Sequence, residues 1–337
     1  MKNRGIYETI LKMPELMEKA YEELKVIGEI RGEVGKVAFF GMGGSGIAGR
    51  IISEWLNEEN GEQLITCYND MKMPKWVDEE TIIIPISYSG NTKETIMATK
   101  TAIERKLNIA IISSGGKLIE TAERSGIPYV KIPPIFNQPR ESLPYLIMAA
   151  IKVLLNLKVI NEENIKQIKK AIETLYNVRE KIIRDKTPEK LAQKMFNKMI
   201  QIYTYNPLTA AAIRFKQSLN ENSKTLAKLE IIPEAGHNAI MEFEGEAELL
   251  NKNIAIIIRE GEIENKLIRI SMEVFKELML KRGMNVEEII SIGEIAISKI
   301  LTAIYIGDLA SIELANIKGV DAREIKSIRY LKSKIRE

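Results

Sequence analysis

The chain is nearly free of the residues that build metal centres and disulfide scaffolds. It has one cysteine and one histidine in 337 residues. A single thiol excludes an intrachain disulfide framework and fits a reducing compartment, so a cytoplasmic location is expected. A single imidazole excludes a His-rich metal site. Charge of one sign is lacking as well: 49 Lys and Arg against 46 Asp and Glu leave a net charge of +3. A dedicated nucleic-acid surface needs clustered cations, so no nucleic-acid partner is expected. No run approaches the ~18 uncharged apolar residues of a membrane span, and no membrane association is expected. Met1-Lys2-Asn3-Arg4-Gly5 is not followed by the apolar core of a signal peptide. Glutamine is scarce while Ile, Lys and Glu are abundant, the drift associated with hyperthermophiles.

What is present is a globular composition, 45% hydrophobic and 28% charged, in a length that suits two domains. Apolar runs alternate with helical periodicity. Residues 6–31 read as one or two surface helices. Strands are expected over 36–40, 63–68, 81–86, 108–113 and 128–132, with helices to about Asn57 and over 93–105, 117–124 and 145–157. That alternation predicts an α/β fold with a mainly parallel sheet covered on both faces. The charged stretch 161–190 reads as one long amphipathic connecting helix near a domain boundary. The second half repeats the plan: strands over 199–205, 239–243, 254–259 and 286–292, helices over 208–219, 264–282 and 294–318. The last is mostly apolar, as a helix between layers would be. Cys67 lies in the strand-like Leu64-Ile65-Thr66-Cys67-Tyr68 and reads as a core thiol.

Two polar turns carry the chemistry. Gly41-Met42-Gly43-Gly44-Ser45-Gly46 follows the first strand and opens a helix. Glycines there let backbone N–H groups approach a ligand, and a helix start adds free donors and a positive dipole end. Ser87-Tyr88-Ser89-Gly90-Asn91-Thr92 follows the 81–86 strand and opens the next helix. In an open α/β sheet ligands bind at the carboxyl ends of strands. Gly44, Ser45, Ser87, Ser89 and Thr92 therefore form a candidate phosphate site. The bland alternative is that Ser87 and Thr92 only cap a turn and a helix. A dinucleotide fingerprint is matched by the glycines, but Asp70 is poorly placed for the ribose. A P-loop is excluded, because no Gly-Lys-Ser/Thr follows.

These two motifs, together with Pro139-Arg140-Glu141-Ser142, resemble the sugar isomerase (SIS) domain, and the second half resembles the archaeal-type bifunctional phosphoglucose/phosphomannose isomerases. The resemblance covers nearly the whole chain. It implies two SIS domains, residues 1–158 with the phosphate turns and residues 159–337 with the catalytic groups. It also implies a homodimer acting on sugar 6-phosphates without metal or cofactor: reversible conversion of glucose 6-phosphate and mannose 6-phosphate to fructose 6-phosphate through a cis-enediolate. By resemblance, Arg140 stabilises the enediolate, Glu221 of Asn220-Glu221-Asn222 is the base, His237 opens the ring, and Lys318 before Gly319-Val320-Asp321 assists. Lys299 is an alternative cation on the same helix. Ser311 stands where the family carries a threonine beside the epimeric carbon. Taken alone, Arg140 reads as a surface cation, Glu221 as a solvated helix end, His237 as a structural loop residue and Lys318 as a helix C-terminal cation. A non-catalytic sugar-phosphate sensor is the rival reading; it needs the two turns but not these four residues. A dinucleotide-dependent enzyme is a third.

Overall fold

The computed structural model describes residues 2–30, 34–59, 63–261 and 264–336. Arg31, the end of the first expected helical stretch, lies outside them. The chain begins with α1 (Arg4–Leu11) and α2 (Met13–Glu23), then β1 (Val26–Ile27), β2 (Lys36–Gly41), α3 (Gly43–Glu59), β3 (Leu64–Tyr68), β4 (Thr81–Ser87) and α4 (Lys93–Glu104). Next come β5 (Asn108–Ile109), β6 (Ile111–Ser113), α5 (Gly116–Ser125), β7 (Tyr129–Lys131), α6 (Leu143–Asn156), α7 (Glu162–Arg184) and α8 (Thr187–Met195). The second half holds β8 (Met199–Thr204), α9 (Thr209–Asn222), β9 (Ala227–Ile231), α10 (Ala247–Leu250), β10 (Asn253–Arg259), α11 (Lys266–Lys281), β11 (Asn285–Ile290), α12 (Ala296–Ile317) and α13 (Lys326–Arg336).

Among the described residues the strands form two sheets. The first has the order β1-β7-β6-β4-β2-β3, with β5 also on β4; the second has β11-β10-β8-β9. Pairing is parallel except for β1 on β7. The expectation of an α/β fold with mainly parallel sheets flanked by helices is met. The reason lies in the strand sequences. β4 and β10 are buried along their whole length, so both faces are apolar and helices must cover both. One continuous apolar cluster reaches from Met17 and Phe39 through Ile147 and Ile172 to Ile256 and Leu309. Both sheets pack into it.

Three expectations need correction. The 108–113 strand is broken at Ala110 into β5 and β6. The 161–190 helix is interrupted: Lys186 adopts a left-handed φ of 52°, and Pro188 sits in the first turn of α8, where proline fits but a helix interior would not hold it. Residues 239–243 are not a strand but the 3₁₀ turn Ala239–Glu244, started by the Asn238 side chain accepting from the Ala239 N–H at 2.6 Å. The two-residue β1, the edge strand β9 and the C-terminal α13 were not expected at all.

α12 is long and apolar enough to meet the length and composition of a membrane span. It is nonetheless covered by this chain: every residue from Ala296 to Ala315 is buried, and Lys299, Asp308 and Glu313 sit on it. Cys67 is a structural thiol. Its Sγ donates to the Gly46 carbonyl at 3.3 Å, and burial pushes it up to about 12.

Candidate active site

β2 and β4 are parallel neighbours, with Gly41 beside Ile86, so the two polar turns leave the sheet side by side. Ser45 Oγ accepts from the Tyr88 N–H at 3.1 Å and ties one turn to the other. Ser87 and Thr92 share a hydroxyl–hydroxyl bond of 2.9 Å. Thr92 occupies the N-cap position of α4, yet its side chain caps no N–H. The first amides of a twelve-residue helix are thus left for a ligand or water. Ser45 and Ser87 are buried, Thr92 is half-buried and Ser89 is exposed. Gly90 turns with φ +66°, and a Cβ there would lie 1.8 Å from the Gly115 carbonyl oxygen. Asp70 is spent on its own turn, accepting from the Met71 and Lys72 amides at 2.6 and 3.1 Å.

The glycine turn leads directly to Arg140. A Cβ on Gly44 would come within 3.1 Å of the Arg140 Cα and N, so glycine lets the start of α3 rest closely on that backbone. Arg140 belongs to a 3₁₀ turn, Pro139–Ser142, and is only 5% exposed. Its Nη1 donates to Glu221 Oε2 at 2.8 Å, and its Nη2 donates to the Ala322 carbonyl. Among the described residues its Nε has no partner. Burial lowers the Arg140 pKa, and the Glu221 charge opposes that. Glu221 sits in the last turn of α9, where the helix dipole disfavours a carboxylate. The guanidinium supplies the compensating charge. The Glu221 side chain remains 26% exposed. With Asn220, Lys224, Glu324, Lys326 and Ile328 it lines a cleft of about 450 Å³.

The remaining candidates divide. Ser311 is fully buried, accepts from Asn222 Nδ2 at 2.8 Å and donates to the Asp308 carbonyl at 2.6 Å. Lys318 follows α12; its Nζ donates to Thr225 Oγ1 at 2.9 Å and to the Lys224 carbonyl at 3.3 Å, and burial lowers its pKa. It braces the turn after α9. Lys299 is engaged elsewhere, in a buried ion pair with Glu260. His237 is exposed on the 3₁₀ turn Glu234–His237 and is not hydrogen-bonded to Arg140, Glu221 or Lys318. The chain thus brings Arg140 and Glu221 into contact, sets Ser311 and Lys318 close by, and leaves His237 outside this cluster.

Lys224 was missed by sequence reasoning. Its ammonium donates to the carbonyls of Glu221 at 2.6 Å and Asp321 at 2.9 Å. Burial lowers its pKa first and the Arg140 charge second. The signal available was its position three residues after Glu221. Asn222 was quoted as part of a motif but given no role; its Oδ1 is buried without a partner.

Comparison with known proteins converges on one family. Residues 184–335 match the family model of the bacterial phospho-glucose isomerase C-terminal SIS domain. The bifunctional phosphoglucose/phosphomannose isomerase of Caldicellulosiruptor bescii is 32% identical over 340 residues, 98% of this chain and 99% of that protein. The D-glucosamine-6-phosphate 4-epimerase of Sulfolobus acidocaldarius is 30% identical over 298 residues, 87% of this chain and 88% of that protein. Among solved structures, the tagatose-6-phosphate ketose/aldose isomerase of Escherichia coli superposes with a TM-score of 0.68 at 12% identity, covering 96% of this chain and 97% of that one. At that identity the likeness is one of fold.

Proposed function

This chain belongs to the bifunctional phosphoglucose/phosphomannose isomerase family, and on that premise we propose that it interconverts glucose 6-phosphate and mannose 6-phosphate with fructose 6-phosphate. It is an aldose–ketose isomerase. The observation that carries the reading is the contact between the glycine turn and Arg140, whose guanidinium holds Glu221. The turn proposed to take the anion packs against the backbone of the residue whose guanidinium holds the carboxylate.

In this reading the amides at the starts of α3 and α4, with Gly44, Ser45, Ser87, Ser89 and Thr92, take the phosphate. Binding energy at that inert end positions the other. Glu221 removes the proton from carbon 2 of the open aldose and returns it to carbon 1. The enediolate between the two steps carries charge that Arg140 faces, with a free Nε in reserve. Ser311, through Asn222, lies beside the epimeric carbon. Lys318 supports the turn that follows Glu221. Ring opening needs a group that can both donate and accept a proton, and His237 is assigned that role. Because His237 is exposed and apart from the cluster, a second copy of the chain supplies it, which makes the working unit a homodimer. The division between the two SIS domains falls at residues 158/159, between α6 and α7.

The experiment is a coupled assay after chelation, offering glucose 6-phosphate and mannose 6-phosphate and measuring fructose 6-phosphate. Both are consumed if the reading holds. A separate arm with glucosamine 6-phosphate tests the chemistry of the epimerase relative. Turnover there alone, or loss of activity on chelation restored by zinc, contradicts the proposal.

A further inference from the structure

We infer that a buried polar seam between α9 and α12, centred on Arg214 and Asp308, fixes the register at which Glu221 meets Arg140. This rests on the reading of Glu221 and Arg140 as base and oxyanion partner. α9 carries Arg214, Ser218 and Asn222 four residues apart, hence on one face. α12 answers with Asp308 and Ser311, three apart. Arg214 Nε lies 3.0 Å from both Asp308 carboxylate oxygens, and its Nη2 is 2.8 Å from Oδ2. Ser218 Oγ donates to Asp308 Oδ1. Asn222 closes the seam on Ser311. Arg214 and Asp308 are 2% and 4% exposed.

The seam extends beyond the two helices. Arg214 Nη2 also donates to the Arg140 carbonyl at 3.0 Å. One guanidinium therefore grips α12, through Asp308, and the turn that presents the Arg140 side chain, while sitting on the helix that carries Glu221. Phe215 packs on Gly307, where a Cβ would come within 2.8 Å of the ring, so this apolar contact sets how closely the two helices approach, and the directional bonds of the seam add to it. A one-residue slip of α9 moves Glu221 by about 1.5 Å along the axis, enough to cost on the order of 100-fold in a proton transfer. A buried ion pair is roughly neutral for stability against an apolar pair of like volume. Register control is the role left for it. Arg214 and Asp308 are positioning residues, since neither touches the reacting atoms.

The test uses the full-length protein in two forms, Asp308→Asn and the double variant Arg214→Met/Asp308→Leu, with kcat, KM and the thermal midpoint measured for each. The double variant is expected to keep a midpoint near the wild type, to hold KM within about threefold, and to lose about 10- to 100-fold in kcat. Asp308→Asn keeps an acceptor for Ser218 but leaves the buried Arg214 guanidinium without its counter-charge, so its kcat falls between while its thermal midpoint drops below that of the double variant. A double variant with wild-type kcat overturns the inference, as does one in which KM rises while kcat holds. Failure of both variants to fold overturns it too, because the seam is then a stability element. A wild-type protein inactive on every sugar phosphate instead sinks the underlying reading of the site.

Discussion

Replacing Glu54 by glutamine probes the contact between the helix that opens at the glycine turn and the helix that ends at Glu221. Glu54 lies on α3, and its Oε2 accepts from the Ala210 N–H at 2.6 Å. Ala210 is in the first turn of α9, so this amide is one of the donors a helix leaves unpaired. Burial pushes the Glu54 carboxyl up to about 7; the Ala210 bond and Arg50 pull it back only in part. An unfolded chain has the ordinary value, 4.5. Between the two the folded protein keeps a proton that the unfolded chain releases. Stability from this group is therefore full below pH ~4.5, falls as pH rises to ~7, and stays lost above. The difference corresponds to about 3 kcal/mol at pH 8. Glutamine keeps an acceptor for Ala210 and cannot ionise. Denaturant midpoints for both proteins from pH 4.5 to 8.5 should coincide at the acid end, and the variant should gain steadily toward pH 8. A gap that is constant with pH, or that opens in the acid direction, refutes the reasoning.

Other perturbations test separate parts. Arg140→Lys keeps the charge but cannot reach Glu221 and the Ala322 carbonyl with a rigid fork; kcat should fall about 100-fold in steady-state assays while the fold persists by circular dichroism. Arg259→Met strips Glu264, whose side chain is fully buried, of its guanidinium. The cost should be about 3–5 kcal/mol in chemical denaturation, since the remaining carboxylate is buried and uncompensated. Gly90→Ala places a methyl group against the Gly115 carbonyl and strains a left-handed turn; the thermal midpoint should drop, and KM for sugar phosphates should rise more than kcat falls.

The sheet strands were legible because their chemistry is local. Runs such as 82–86 and 254–258 can only be buried on both faces, and β4 and β10 are. β9 escaped because Lys228 and Glu230 interrupt its apolar residues, and those charges pair with each other and with Glu242. The break between α7 and α8 has a local signal in Pro188, which sits in the first turn of α8. The two polar turns could be picked out from glycine and hydroxyl spacing alone. The Arg140–Glu221 pair could not, since its partners stand 81 residues apart and each read singly as an ordinary surface charge. Arg214 and Asp308, 94 residues apart, left no local trace; their meaning exists only once α9 lies on α12.

Glu221 as the proton carrier is the central claim, and solvent-exchange NMR tests it most directly. With fructose 6-phosphate in deuterium oxide, the wild-type protein should form glucose 6-phosphate and mannose 6-phosphate carrying deuterium at carbon 2. Glu221→Gln should still bind the sugar phosphate and incorporate none. Exchange at a near-normal rate in the variant contradicts the account.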